Sequence, residues 1–381
     1  MDIDFARPVF GDEERRAVNE VMEGHWLANG PKVEEFEKKF ASYIGVPYAL
    51  SCNSGSSANL LALASLDLPK GAKVLTSGCG FPATLSPILH LGLVPVLVDY
   101  NRKTCNVDLN QVWDKAKECE AAIIAHTMGN PSAAQSILDG NGVNVIEDCC
   151  ESLGATLFGS QVGSSDLGTF SFYPSHQITA LGGGGMVTFR DEKQYLRAKS
   201  LSDWGKTQLK GGYGRSNTKY SSRVGEIDYF EHYTYETVGW NFKLPEANAA
   251  FGIEQLKRLP KIVEERNRNH DFIVSRLPKG FEEVKVVQGS VPSWFGVLLT
   301  PKNYSGHRLG ETLEALGVRH RPFFAGNITK HKPFEHLKGE FPEADYLMRN
   351  TIFIGCYAGM TEEELNYVSD AIREADAICR P

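Results

Sequence analysis

No two of the eight cysteines form a CxxC pair, and none has zinc-like spacing, so metal fingers and thioredoxin-type redox chemistry are excluded. The thiols are too scattered for a disulfide framework, and a chain of 381 residues does not need one. They read as reduced packing residues. Positive charge is also short: the formal net charge is −7, which leaves no surplus for tracking a phosphate backbone and argues against a nucleic-acid partner. The apolar runs fall well below membrane-spanning length, and the first residues, MDIDFARPVF, carry acids where a secretory leader needs bases. A cytoplasmic protein with no membrane association is expected. Hydrophobic residues at 42% and charged residues at 23% are the mix of a chain that buries a sizeable core.

Short apolar runs alternate with helical patterns through the first two thirds: VLTSG (74–78), VPVLVD (94–99), AAIIAHT (121–127), VNVIED (143–148), GTFSF (168–172) and MVTF (186–189). That rhythm predicts an α/β domain around a mostly parallel sheet. Between Asp203 and Thr237 the rhythm gives way to Gly, Ser, Lys and Tyr, which predicts a long surface excursion. Helical text resumes at Pro245 and a second α/β block starts near Val284, so the expected division is a large domain over 1–245 and a small C-terminal domain over 246–381.

Three segments carry chemistry. Ser54-Gly55-Ser56-Ser57 opens a helical run, where free N–H groups and the helix dipole favour an anion, although a plain N-cap has the same composition. Glu147 and Asp148 end an apolar run, at the carboxyl end of a parallel strand where such sheets bind ligands. Ser171, His176 and the run Gly182 to Gly185 lie between two strands, and four glycines in a row imply close backbone approach or positive φ.

Taken in order, SGSSAN, GFPAT, EDCCESLGA, SFxxxH before a glycine run, and GWNFKLPEANAAFGIEQL make the chain resemble the DegT/DnrJ/EryC1/StrS family of sugar aminotransferases over nearly its whole length. The resemblance implies the aspartate aminotransferase-like fold type I of pyridoxal-phosphate enzymes, with a seven-stranded sheet, a small C-terminal domain and a homodimer with shared active sites. It implies pyridoxal 5′-phosphate or pyridoxamine 5′-phosphate as cofactor. It makes Asp148 the partner of the pyridine nitrogen, Phe81 the ring-stacking aromatic, and Gly55, Ser56 and Ser171 the phosphate ligands. It also implies that Asn241 reaches the phosphate of the neighbouring subunit. Glu151 stands where the family commonly has Gln.

The departure that matters is His176, which stands where the family has the lysine that links covalently to the cofactor. No lysine occurs between Lys117 and Lys193, so a small slip in alignment does not restore one. Histidine there resembles the sugar 3-dehydratase branch of the family, as do YPSHQIT, DWG (203–205), PSWFG (292–296) and FFAGN (323–327). That branch implies removal of the C3 hydroxyl from a nucleotide-linked 4-keto-6-deoxy sugar, with His176 as the base. Some enzymes of the branch carry an iron–sulfur cluster on cysteines after DWG and take electrons from a reductase. This chain has no cysteine there, so no metal and no iron–sulfur cluster is expected, and L-glutamate is the expected co-substrate that regenerates the amine. Arg321 and Lys330, flanking FFAGN, are candidate contacts for diphosphate or sugar. The alternatives left open are a reductase-coupled dehydratase without its own cluster, a nucleotide-sugar aminotransferase, and a non-catalytic binder. The base of the nucleotide stays open between CDP, GDP and dTDP.

Overall fold

The computed structural model describes residues 1–207 and 222–380. Part of the expected surface excursion, 208–221, lies outside the described residues; its far end forms an exposed two-stranded ribbon, Ser222–Val224 with Ile227–Tyr229. The main sheet has seven strands: β1 (Tyr48–Cys52), β2 (Lys73–Ser77), β3 (Val94–Val98), β4 (Ala121–Ala125), β5 (Asn144–Asp148), β6 (Leu167–Ser171) and β7 (Gly185–Phe189). In space they run β1-β7-β6-β5-β4-β2-β3, and only β7 is antiparallel to its neighbours. All six runs read as strands from the sequence are strands. Strand β1 escaped that reading because YALSC has no β-branched residue and gains its place by pairing with β7.

Both faces of the sheet are covered, which is why β4 (AAIIA) and β5 (NVIED) are almost continuously buried rather than alternating. One core gathers Val74, Leu75, Ile123, Val145 and Val187 from the strands with Leu61, Leu85 and Ile88 from helices; a second gathers Phe36, Phe40, Phe170 and Phe172. A 29-residue helix, Glu246–Val274, packs Ile253, Leu256 and Leu259 into the second core and Ile273 into a third. The third core belongs to a three-stranded antiparallel sheet, Gly296–Leu299, Ile352–Gly355 and His320–Pro322, backed by helices Gly306–Ala315 and Glu362–Cys379. The N-terminal residues reach this small sheet too: Ile3 donates to Gly317 O and forms a parallel bridge with Val318, and Phe5 packs edge-on against Phe353. Among the described residues no helix is long and apolar enough to cross a membrane.

Candidate active site

The carboxyl ends of β4, β5 and β6 open into a cavity of about 400 Å³, closed on the other side by Phe5, Phe295, Phe324 and Phe353. Seven of the residues singled out in the sequence line it together: Gly55, Ser56, Phe81, Asp148, Glu151, Ser171 and His176. They come from four separate stretches of chain, and the parallel strands bring them to one end, as an open α/β sheet does.

Asp148, the last residue of β5, is buried and held from two sides. Its Oδ2 accepts from Asn59 Nδ2 at 2.9 Å and from Thr84 Oγ1 at 2.8 Å; Oδ1 accepts the Cys150 N–H at 3.2 Å. Asn59 is fixed in turn by accepting from Thr169 Oγ1. The sequence reading missed Asn59 and Thr84. The available signal was a lone amide on the buried face of an otherwise apolar helix, a place where an amide needs partners.

The helix Gly55–Ser65 points its N-terminus at the same space. Ser54 caps it by accepting the Ser57 N–H, and among the described residues the Gly55 and Ser56 amides have no partner. A Cβ on Gly55 would sit 2.7 Å from Ser171 Cβ and 3.0 Å from Cys150 Sγ, so only glycine lets helix and strand close this tightly. The glycine run does both things expected of it. Gly182 and Gly184 have φ of 93° and 148°, and a Cβ on Gly185 would strike Ser54 O at 2.3 Å.

Burial, reinforced by the charge of Asp148, pushes the Glu151 carboxyl up to about 8, although its Oε2 accepts the Met128 N–H at 2.7 Å. The group is therefore neutral at neutral pH and offers a proton, as the family's glutamine would. Burial, and then the Arg266 guanidinium, push the His176 imidazole down to about 3, so it too is uncharged. Its ring lies 5.1 Å from that of Phe295. Deeper in, Nδ1 of His126 accepts the Ser132 N–H at 2.8 Å, which leaves the proton on Nε2 to bond Glu147 at 2.9 Å. Burial alone would raise the Glu147 carboxyl, but bonds from His126 and Ser165 outweigh it and hold it below the usual range. The sequence reading names Glu147 at the strand end but neither His126 nor the pairing of the two.

Three of the residues that the resemblance assigns to cofactor or substrate do not line this cavity. Asn241 is exposed and forms a backbone bridge with Asp203. Arg321 is exposed, with its guanidinium 4.8 Å from the ring centre of the cavity-lining Phe5, and Lys330 pairs with Asp345 at 3.5 Å. Cys149 is buried in the second core, whereas Cys150 lines the cavity. Among the described residues no lysine lines the cavity.

Residues 8–373 match the DegT/DnrJ/EryC1/StrS aminotransferase family, and the chain belongs to it. It is 36% identical over 394 residues to the lipopolysaccharide biosynthesis protein RfbH of Salmonella typhimurium, covering 96% of this chain and 90% of that one. It is 34% identical to the dTDP-4-dehydro-2,6-dideoxy-D-glucose 3-dehydratase of Saccharopolyspora spinosa, covering 96% and 85%. Among solved structures, GDP-4-keto-6-deoxymannose-3-dehydratase with a trapped PLP-glutamate geminal diamine superposes with a TM-score of 0.85 at 25% identity, over 97% of this chain and 100% of that one. The expected fold, the aspartate aminotransferase-like α/β architecture, is the one observed.

Proposed function

We propose that the protein removes the C3 hydroxyl from a nucleotide-linked 4-keto-6-deoxy sugar, with pyridoxamine phosphate as working cofactor and glutamate as the source of its amine. The single observation that carries this reading is His176, an uncharged imidazole at the edge of a cavity that no lysine lines among the described residues.

The cavity fits the cofactor on its own chemistry. Asp148 Oδ1 keeps a lone pair for a ring N–H, Phe81 leaves 57% of its surface open to cover one ring face, and the free Gly55 and Ser56 amides with Ser171 suit a phosphate. When bound, the cofactor supplies an amine that condenses with the sugar's ketone and a ring that accepts electrons. Asp148 holds the ring nitrogen protonated and strengthens that acceptance. His176, neutral in the fold, would serve as the base that takes a proton from the cofactor carbon bearing the amine as the C3 hydroxyl departs. Phe5, Phe295, Phe324 and Phe353 give the cavity an apolar lining that would strengthen the electrostatic contacts made inside it. In balance, condensation and loss of the C3 hydroxyl would each release a water, two hydrolyses would take up two waters to give the 3-deoxy ketone, ammonia and the aldehyde form of the cofactor, and oxidation of glutamate to 2-oxoglutarate would restore the amine. The working unit in this reading is a homodimer, with the exposed Asn241 serving the neighbouring chain's phosphate site.

The test is incubation of the purified protein with CDP-, GDP- and dTDP-linked 4-keto-6-deoxy sugars, the cofactor and glutamate, with products read by mass spectrometry. A product lighter by one oxygen, with ammonia and 2-oxoglutarate, supports the reading. An amino sugar in its place identifies an aminotransferase, and an absolute need for a reduced electron donor identifies a reductase-coupled dehydratase.

A further inference from the structure

Beside His176 lies a second, much smaller cavity of about 10 Å³, whose lining includes His176, Gln177 and Arg266 with Ile178, Ile262 and Ala358. His176 is the only one of these six that lines both spaces. Two buried polar atoms of the small cavity's lining residues have no hydrogen-bond partner among the described residues, Nδ1 of His176 and Oε1 of Gln177. The Gln177 amide is not free to turn over. Its Nε2 donates to Glu151 O at 2.6 Å and to Ser293 O at 3.0 Å, so the unpartnered atom is the oxygen, an acceptor. Arg266 is pinned as well, donating from Nε to Trp294 O at 2.8 Å and from Nη2 to Phe295 O at 2.6 Å.

A cavity near this size holds one water when two or more polar groups face it. A buried acceptor left unmet costs about 1–3 kcal/mol. The step that follows rests on the reading of His176 as the base: a base that presents a bare Nε2 to the cofactor carries its proton on Nδ1, which makes Nδ1 a donor. A donor and an acceptor facing one small cavity are both satisfied by a single water that accepts from one and donates to the other.

We propose that one ordered water in this cavity links His176 Nδ1–H to Gln177 Oε1, and that Gln177 is thereby a positioning residue that fixes the tautomer and the orientation of the base. Glu151, whose backbone oxygen Gln177 also holds, is tied to the same arrangement.

The test reads the holoenzyme in two ways that do not need turnover. Nitrogen-15 NMR of labelled histidine, with the signal assigned by its loss in His176→Asn, is expected to show the proton on Nδ1. A high-resolution crystal structure is expected to show one water within hydrogen-bond distance of both atoms. Ala358→Val, which narrows the cavity while replacing no polar side chain, is expected to lower kcat about tenfold with KM unchanged and to mix the two tautomers. Gln177→Met is expected to mix the tautomers in the same way. A proton on Nε2, a dry cavity, or an Ala358→Val enzyme with wild-type kcat and tautomer overturns the proposal. If the water and the Nδ1 proton are found but no sugar is dehydrated, the functional reading fails and the positioning inference stands.

Discussion

At position 176 the choice between an imidazole and an amine decides what the cavity can host. Borohydride treatment of the cofactor-loaded protein is expected to leave no pyridoxyl group on any lysine, as judged by peptide mass spectrometry; a labelled lysine would refute a base-only role for His176. His176→Lys is expected to gain that label and to lose dehydration. Glu151 permits a separate check through pH. Its carboxyl titrates near 8 in the fold against an ordinary value of 4.5, so between those values the unfolded chain releases a proton that the fold retains. Stability contributed at this site is therefore intact below about 4.5 and lost as pH rises towards about 8. Glu151→Gln keeps a neutral acceptor for the Met128 N–H and removes the titration. The apo wild-type melting temperature is expected to fall more steeply than the variant's between about pH 5 and about pH 8, and equal slopes would refute a neutral Glu151. His176 acts in the opposite direction, because its lowered value costs stability as pH falls below 6.5, but it is common to both proteins and cancels.

The elements differ in how far the sequence discloses them. Six sheet strands, five parallel and the antiparallel β7, were legible because strands of a sheet covered on both faces read as apolar runs; β1 was not, because YALSC has no β-branched residue and gains its place by pairing with β7. The helix start at Ser54 was legible from its hydroxyls, and Asp148 from its place at a strand end. The clamp on Asp148 was not, since Asn59, Thr84 and Thr169 are far apart in sequence and meet only when the helix Gly55–Ser65 lies across β5 and β6. That packing makes Gly55 and Asn59 the sensitive points of the element. Gly55→Ala forces a methyl against Ser171 and Cys150 and is expected to cost about 1–3 kcal/mol, with cofactor affinity lowered at least tenfold in an absorbance titration. Asn59→Leu keeps the bulk but strands Thr169 and half of the Asp148 clamp, and a loss of about 1–3 kcal/mol in urea unfolding is expected. Wild-type stability and affinity in either variant would mean that helix and strand meet less tightly than described.

At the scale of the whole molecule, one residue that the resemblance assigns to the cofactor, Asn241, does not line the chain's own cavity. Phe81 and Tyr173, both at the cavity, stay 57% and 61% exposed, a large apolar area for a lone chain to leave open. A second copy covering that face would bury both aromatics and bring its Asn241 to the phosphate residues. The arrangement is decided by mixing chains. In a heterodimer of one His176→Asn chain and one Asn241→Ala chain, crossed sites place an intact His176 and the partner-supplied intact Asn241 in one cavity and both defects in the other. About half the wild-type rate per dimer is then expected, from two parents that are each impaired. If Asn241 served its own chain, each site of the heterodimer would keep one defect and no activity would return. Differently tagged chains purified as the mixed species, assayed beside both parents, separate these outcomes. Recovery of activity supports sites shared between chains, and its absence removes Asn241 from the partner's phosphate site.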